Sequence, residues 1–98
     1  MQLGKVIGNV VSSQKHATMD GKKLLLVAPY ATKDGKHVPS GGTIVAVDAT
    51  GAGDGEFVLY TTGSSARFTD ATKNTPVDAV IIGIVETVEV MGAVVVKP

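Results

Sequence analysis

Residues 48 to 68 read DATGAGDGEFVLYTTGSSARF and bring together several kinds of group that could do chemistry. They hold Asp48, Asp54 and Glu56, the glycines of GAGDGE, the pair Ser64-Ser65, and Arg67, the single arginine of the sequence. A phosphate cradle made from Gly51, Gly53 and Gly55 would need a helix N-terminus directly behind it to supply N–H groups and dipole. Here a strand-like run, EFVLYTT, follows instead, and the spacing is not that of a dinucleotide fingerprint. The carboxylates do not fall at the positions of a calcium loop, which alternates oxygen ligands and closes on a glutamate. A serine nucleophile needs a base within reach and a third group orienting it. The two histidines lie in the polar segments QKHAT (His16) and DGKHVPS (His37), where a solvated ring is expected, and no G-x-S-x-G elbow is present. The sequence therefore predicts no catalytic residue, no metal and no cofactor.

Arg67 keeps a more specific meaning. A guanidinium between two serines and Phe68 can grip a carboxylate of a neighbouring copy bidentately, with Glu56, Asp48 and Asp78 as candidates, or be satisfied within its own chain. Both readings stand on sequence chemistry. Composition adds to the first. Charged residues make up 18% of the chain, against about 25% in an average protein, and hydrophobic residues 44%. Surface of that kind is suited to contact with another protein. Nine basic and nine acidic residues give a formal charge of zero, which does not attract nucleic acid, and four aromatics make a poor stacking platform for bases. There is no cysteine, so no disulfide framework. The first residues lack an apolar targeting core, and no stretch nears the roughly 18 apolar residues of a membrane span, so a soluble chain without a membrane partner is expected.

At 98 residues the chain forms one domain, 1–98. Val, Ile and Thr are abundant, and these β-branched residues suit a pleated surface. Strand-like runs are expected at about 3–13, 22–30, 43–49, 56–62, 78–91 and 93–97, separated by Asp20-Gly21, Asp34-Gly35 and Ser40-Gly41-Gly42. In the fourth run Phe57, Leu59 and Thr61 alternate with Val58 and Tyr60, so both faces are apolar and both are expected to be covered. Gly83 interrupts the fifth run where a bulge is expected, and after Glu86 the pattern becomes one-sided, with Val88 and Val90 apolar. The serines of GSSARF can cap one short helical turn, with Pro76 barring a longer one. The fold expected is mainly β, a small barrel of five to six strands with one short helix, since closure removes exposed strand edges.

The stretches LGKVIGNVVSSQK at the start, GKKLLLV at 21–27, AVDATGAGDGEFVL at 46–59, GSSAR at 63–67 and PVDAVIIGIVE at 76–86 make the sequence resemble the EutN/CcmL family of bacterial microcompartment vertex proteins. The resemblance runs through nearly the whole chain. It implies an OB-like barrel, a homopentameric or other closed ring at the vertices of a cytoplasmic polyhedral shell, and hexameric shell proteins as further partners. It also places Gly51, Ala52, Gly53, Gly55 and Glu56, with Gly63, Ser64, Ser65, Ala66 and Arg67, at subunit contacts or the axial pore. Glu86 and Ala28 depart from the residues common in the family, Asp and Gln. Alternative readings of such a barrel are nucleic-acid binding, or a small-molecule gate lined by Ser64, Ser65 and Glu56.

Overall fold

A computed structural model describes residues 1–11, 23–63 and 78–96. Eight strands follow one another: β1 (Gln2–Val10), β2 (Lys23–Lys33), β3 (Lys36–Pro39), β4 (Ile44–Asp48), β5 (Phe57–Thr62), β6 (Ala79–Val85), β7 (Val88–Val90) and β8 (Ala93–Val96). The main sheet runs β1-β5-β6-β4-β2-β3, and β1 also pairs with β2, so β1, β5, β6, β4 and β2 close into a barrel. Its ladders are antiparallel except for β4 and β6, which run parallel. The expected OB-like barrel is what forms. The expected short helical turn at GSSARF lies, apart from Gly63, outside the described residues.

Alternation of side chains sets what faces inward. On β1 Gly4 and Val6, on β2 Leu25 and Val27, and on β5 Val58 and Tyr60 are buried, while the residues between them are not. Together with Ala46, Ala52, Ala79 and Ile81 they fill the barrel, and Val47 and Val80 form a smaller second cluster with Leu24 against them. Space inside is short. A Cβ built on Gly4 would lie 2.5 Å from Val27 Cγ1, 3.0 Å from Tyr60 Cε1 and 3.1 Å from the Ala28 carbonyl oxygen. Only glycine lets β1 come so near β2 and β5.

Two bulges bend the barrel. The register of β6 on β5 shifts between Leu59 and Tyr60, leaving Ile82 extra beside Gly83, where the sequence pointed to a bulge. The register of β1 on β2 shifts between Val6 and Gly8, leaving Ile7 extra. Each bulge turns its isoleucine outward and leaves it exposed. Pro29, which has no N–H to give, sits on β2 where the β4 ladder has ended at Val27 and the β3 ladder has yet to begin at Tyr30.

Several expectations are corrected. Residues 31–42, which fall between the expected runs 22–30 and 43–49, contain β3, because Asp34 and Gly35 (φ 52° and 73°) make a two-residue turn that folds 36–39 back on 30–33. The run 78–91 breaks at Glu86-Thr87. Val85 pairs with Phe57, the first residue of β5, so β6 runs out of partner there. The chain then forms a separate ribbon of β7 and β8, turned at Met91-Gly92 (φ 51° and 86°). The second face of β5 is only half-buried. With its neighbours it makes a flank of two rows, Ala28–Lys5–Phe57 and Tyr30–Leu3–Leu59, each pairing across β2, β1 and β5.

Candidate functional site

The loop Ala49–Glu56 is shaped from inside by two carboxylates. Asp48 Oδ1 accepts from the Thr50 backbone N–H (2.8 Å) and hydroxyl (2.7 Å), and Oδ2 accepts from the Ala52 N–H (2.9 Å). Such an acidic residue, bonding the backbone just ahead of it, is a common way to hold a turn. Lys23 Nζ donates to the Ala52 carbonyl (3.2 Å), which ties the loop to β2. The Ala52 side chain is thereby driven into the barrel core at 0% exposure. Further on, Gly53 N–H donates to Glu56 Oε1 (2.6 Å), Glu56 N–H to the Gly53 carbonyl (3.2 Å), and Gly55 N–H to the Val6 carbonyl (2.8 Å). Val6 N–H returns a bond to the Glu56 carbonyl at 2.9 Å. Gly51 and Gly55 take φ of 80° and 84°, which side chains rarely adopt.

This bonding decides among the chemistries the loop's composition suggested. The N–H groups of Ala52, Gly53 and Gly55 all have partners within the chain, so they are not turned toward a phosphate. Asp48 is held by three donors of its own loop and is a poor candidate for Arg67 of another copy. Among the described residues no group of three His, Cys, Asp or Glu is placed to hold a metal. The loop is tied to its own chain by these bonds. Of the residues expected at subunit contacts, Gly51, Gly55, Glu56 and Gly63 are exposed and Gly53 is half-buried, whereas Ala52 points into its own core. Among the described residues a Cβ on Gly51, Gly55 or Gly63 would meet nothing within 4 Å, and one on Gly53 would meet only Glu56 Oε1, at 3.4 Å. Ser64, Ser65, Ala66 and Arg67 lie outside the described residues.

Sequence reasoning missed the side chains around His37. Far from being solvated, the imidazole packs 4.8 Å from the Tyr30 ring and 5.3 Å from the Phe57 ring, and those two meet edge to face at 5.0 Å. Lys5 Nζ lies 5.6 Å from the centre of the Phe57 ring, within reach of a cation–π attraction. Both His37 ring nitrogens are shielded from solvent and have no hydrogen-bond partner among the described residues. The apolar flank thus ends in an aromatic cluster with an unsatisfied imidazole, a feature that calls for explanation in any native structure.

Desolvation lowers the His37 pKa below its usual 6.5. Between that depressed value and 6.5 the unfolded chain binds more protons at this site than the folded one, so stability falls as pH drops through the window. The melting temperature should decline from pH 7 to pH 5.5, and His37→Phe should flatten that decline while leaving the neutral-pH value close to the parent's. Thermal melts of the two proteins at matched pH would check it, with parallel curves counting against a neutral, buried imidazole.

Fold and site together define a small closed barrel of the OB type, whose glycine loop is bonded into the barrel and whose flank carries half-buried apolar groups. Within that class, the family model for "Ethanolamine utilisation protein EutN/carboxysome" matches residues 1–86, and the chain belongs to the EutN/CcmL family. It is 48% identical over 89 residues to the bacterial microcompartment shell vertex protein GrpN of Rhodospirillum rubrum, covering 91% of this chain and 97% of that one. It is 47% identical over 90 residues to the carboxysome shell vertex protein CcmL of Gloeobacter violaceus, covering 92% and 87%. The solved structure of Gloeobacter violaceus CcmL superposes with a TM-score of 0.87 at 42% identity, over 99% of this chain and 97% of that one. The pentameric microcompartment shell protein GrpN superposes with a TM-score of 0.80 at 47% identity, over 93% and 100%.

Proposed function

We propose that this chain is a structural component of a bacterial microcompartment shell, lying in the cytoplasm, where five copies form a ring that closes each vertex. The observation that carries this reading is the match, along the full length of the GrpN chain, to a pentameric shell protein at 47% identity. The chain's own chemistry agrees with a role in shape rather than turnover. In its glycine loop the N–H groups of Ala52, Gly53 and Gly55 are bonded internally, and its flank keeps Phe57, Leu59, Leu3 and Tyr30 only half-buried. A cyclic ring joins one surface of each subunit to a different surface of the next, so both surfaces must be present on every copy. A five-fold unit then supplies curvature that flat hexameric sheets lack, and hexameric shell proteins are the partners such a unit would meet at its rim.

In this reading Gly51, Gly53, Gly55, Glu56 and Gly63, with Ser64, Ser65, Ala66 and Arg67, lie at the subunit contacts or around the axis. Native mass measurement tests the reading directly, and a single species of five 10.0 kDa chains is expected. A lone subunit persisting at micromolar concentration would defeat it. Arg67→Glu should shift that species toward monomer and leave the far-ultraviolet circular dichroism nearly unchanged, because charge reversal at a contact costs several kcal/mol of association. An undiminished ring would take Arg67 out of the interface.

A further inference from the structure

The β7–β8 ribbon is the part of the described chain least explained by the barrel. Its two strands form a sheet of their own, beyond residues 1–86 that the family model matches. A two-stranded hairpin is marginal by itself in water. The base of this one is fixed, because Val96 is buried and β8 meets β3. The rest is not. Val88 pairs with Val96 on one face, while Glu89 pairs with Val94 on the other, and both Glu89 and Val94 are exposed. Met91 stands at the tip, 93% exposed, in a left-handed conformation that side chains seldom take. The molecule is 45 Å long but only 24 and 22 Å across.

The barrel carries a surface that matches this arm. On its flank the rows Ala28–Lys5–Phe57 and Tyr30–Leu3–Leu59 are half-buried, and Lys5 is the single formally charged side chain among these six. Across residues 87–96 of the ribbon, Glu89 is the single charged side chain. One surface is apolar with one cation, the other apolar with one anion. We infer that the outward face of the β7–β8 ribbon seats on the Lys5–Phe57 flank of a second copy of this chain, with Glu89 opposite Lys5 and Val94 and Met91 covering apolar groups. This rests on the ring assembly proposed above and adds to the contacts given there a second pair of unlike surfaces, arm and flank. Like-for-like contact between two flanks would set lysine against lysine and would pair the subunits without closing a ring.

A charge-exchange cycle tests it, read as the concentration at which the full-length ring dissociates on dilution. Glu89→Lys and Lys5→Glu are each expected to raise that concentration roughly tenfold, and the double variant to return it to within about threefold of the parent, since the exchanged charges face each other again. Single variants that match the parent, or a double variant no better than the singles, would overturn the seating. So would charge swaps that alter only the binding of a hexameric shell protein and leave the ring as it was. Because a variant can lose stability for other reasons, hydrogen exchange on the unmodified chain supplies a second reading. The backbone amides of 88–96 should exchange at least tenfold more slowly in the ring than in the diluted monomer, and equal rates would sink the arm. If the unmodified chain shows no ring, the proposed function falls with it. If the ring is intact and the charges do not couple, only the arm is wrong.

Discussion

Replacing Gly4 by valine should unfold or nearly unfold the isolated barrel. A first side-chain carbon there would stand 2.5 Å from Val27 Cγ1, 3.0 Å from Tyr60 Cε1 and 3.1 Å from the Ala28 carbonyl. Val27 and Tyr60 are among the most completely buried side chains of the protein and cannot swing into solvent, and the carbonyl belongs to β2 itself. Valine adds two further methyl groups to that crowd. Overpacking usually costs 1–3 kcal/mol and sometimes more, so a loss of about 3 kcal/mol or greater is expected, which in a domain of this size lowers the melting temperature by roughly 12–24 °C. Gly4→Ala should follow in the same direction with a smaller loss. Gly8 is the control, because a Cβ there would meet Leu26 at an ordinary 3.9 Å. Gly8→Ala should melt within a few degrees of the parent. Thermal or urea unfolding of the three variants decides the matter, and a Gly4→Val protein as stable as Gly8→Ala would mean that β1 does not approach β2 and β5 so closely.

The second large effect is expected at Asp48. Its carboxylate accepts three hydrogen bonds, two from backbone N–H groups of its own loop, and the Ala52 backbone it holds carries a side chain at the heart of the core. Asp48→Ala leaves those donors without an acceptor in a half-buried place. Hydrogen bonds to charged groups are worth about 1.5–3 kcal/mol each at best, less where water can substitute, and a net loss of about 3 kcal/mol is the expected sum. Asp48→Asn keeps one acceptor oxygen and turns an N–H₂ toward the remaining donors, so its loss should fall between the parent and alanine. Denaturant midpoints would rank the three. Faster hydrogen exchange at Gly55, whose N–H bonds Val6, would locate the damage in the loop and its junction with β1. An alanine variant with an unshifted midpoint would show that the loop keeps its shape without this carboxylate.

What the sequence made legible was local. Alternation in EFVLYTT identified the strand, though Val58 and Tyr60 face the core while Phe57 and Leu59 lie on a half-covered flank. Asp34-Gly35 marked a turn and Gly83 a bulge, because each depends on a backbone preference written in one or two residues. Long-range placement was hidden. Nothing in DGKHVPS distinguishes a wet histidine from one lodged between aromatics, since its burial comes from Tyr30 on β2 and Phe57 on β5. After Glu86 the change of pattern was legible, but not that the strand ends there, because its end follows from where β5 begins on the neighbouring strand. At the site, the sequence singled out the glycines and carboxylates of one loop between two strands. That Asp48 and Glu56 act inward on their own loop, and that Ala52 plugs the barrel, required the hydrogen bonds themselves. The crowding at Gly4 was silent for the same reason: a glycine in a strand looks like any other until the opposing side chains are in place.

The order of strands in the barrel has a consequence for biogenesis. β6 lies between β5 and β4, pairing antiparallel with one and parallel with the other. The N-terminal strand can find β2 early in synthesis, but the cylinder stays open along that seam until residue 85 has left the ribosome. Such distant pairings fold slowly, in roughly milliseconds to seconds for β-barrels, and translation at about 5–20 residues per second makes emergence of the chain the slower event. Nascent copies on one messenger therefore expose an unfinished seam next to one another for seconds, and assembly partners become competent only near the end of translation. Polypeptides cut short before β6 would lack the seam-closing strand and would be cleared as unfolded chains rather than built into a lattice as defects.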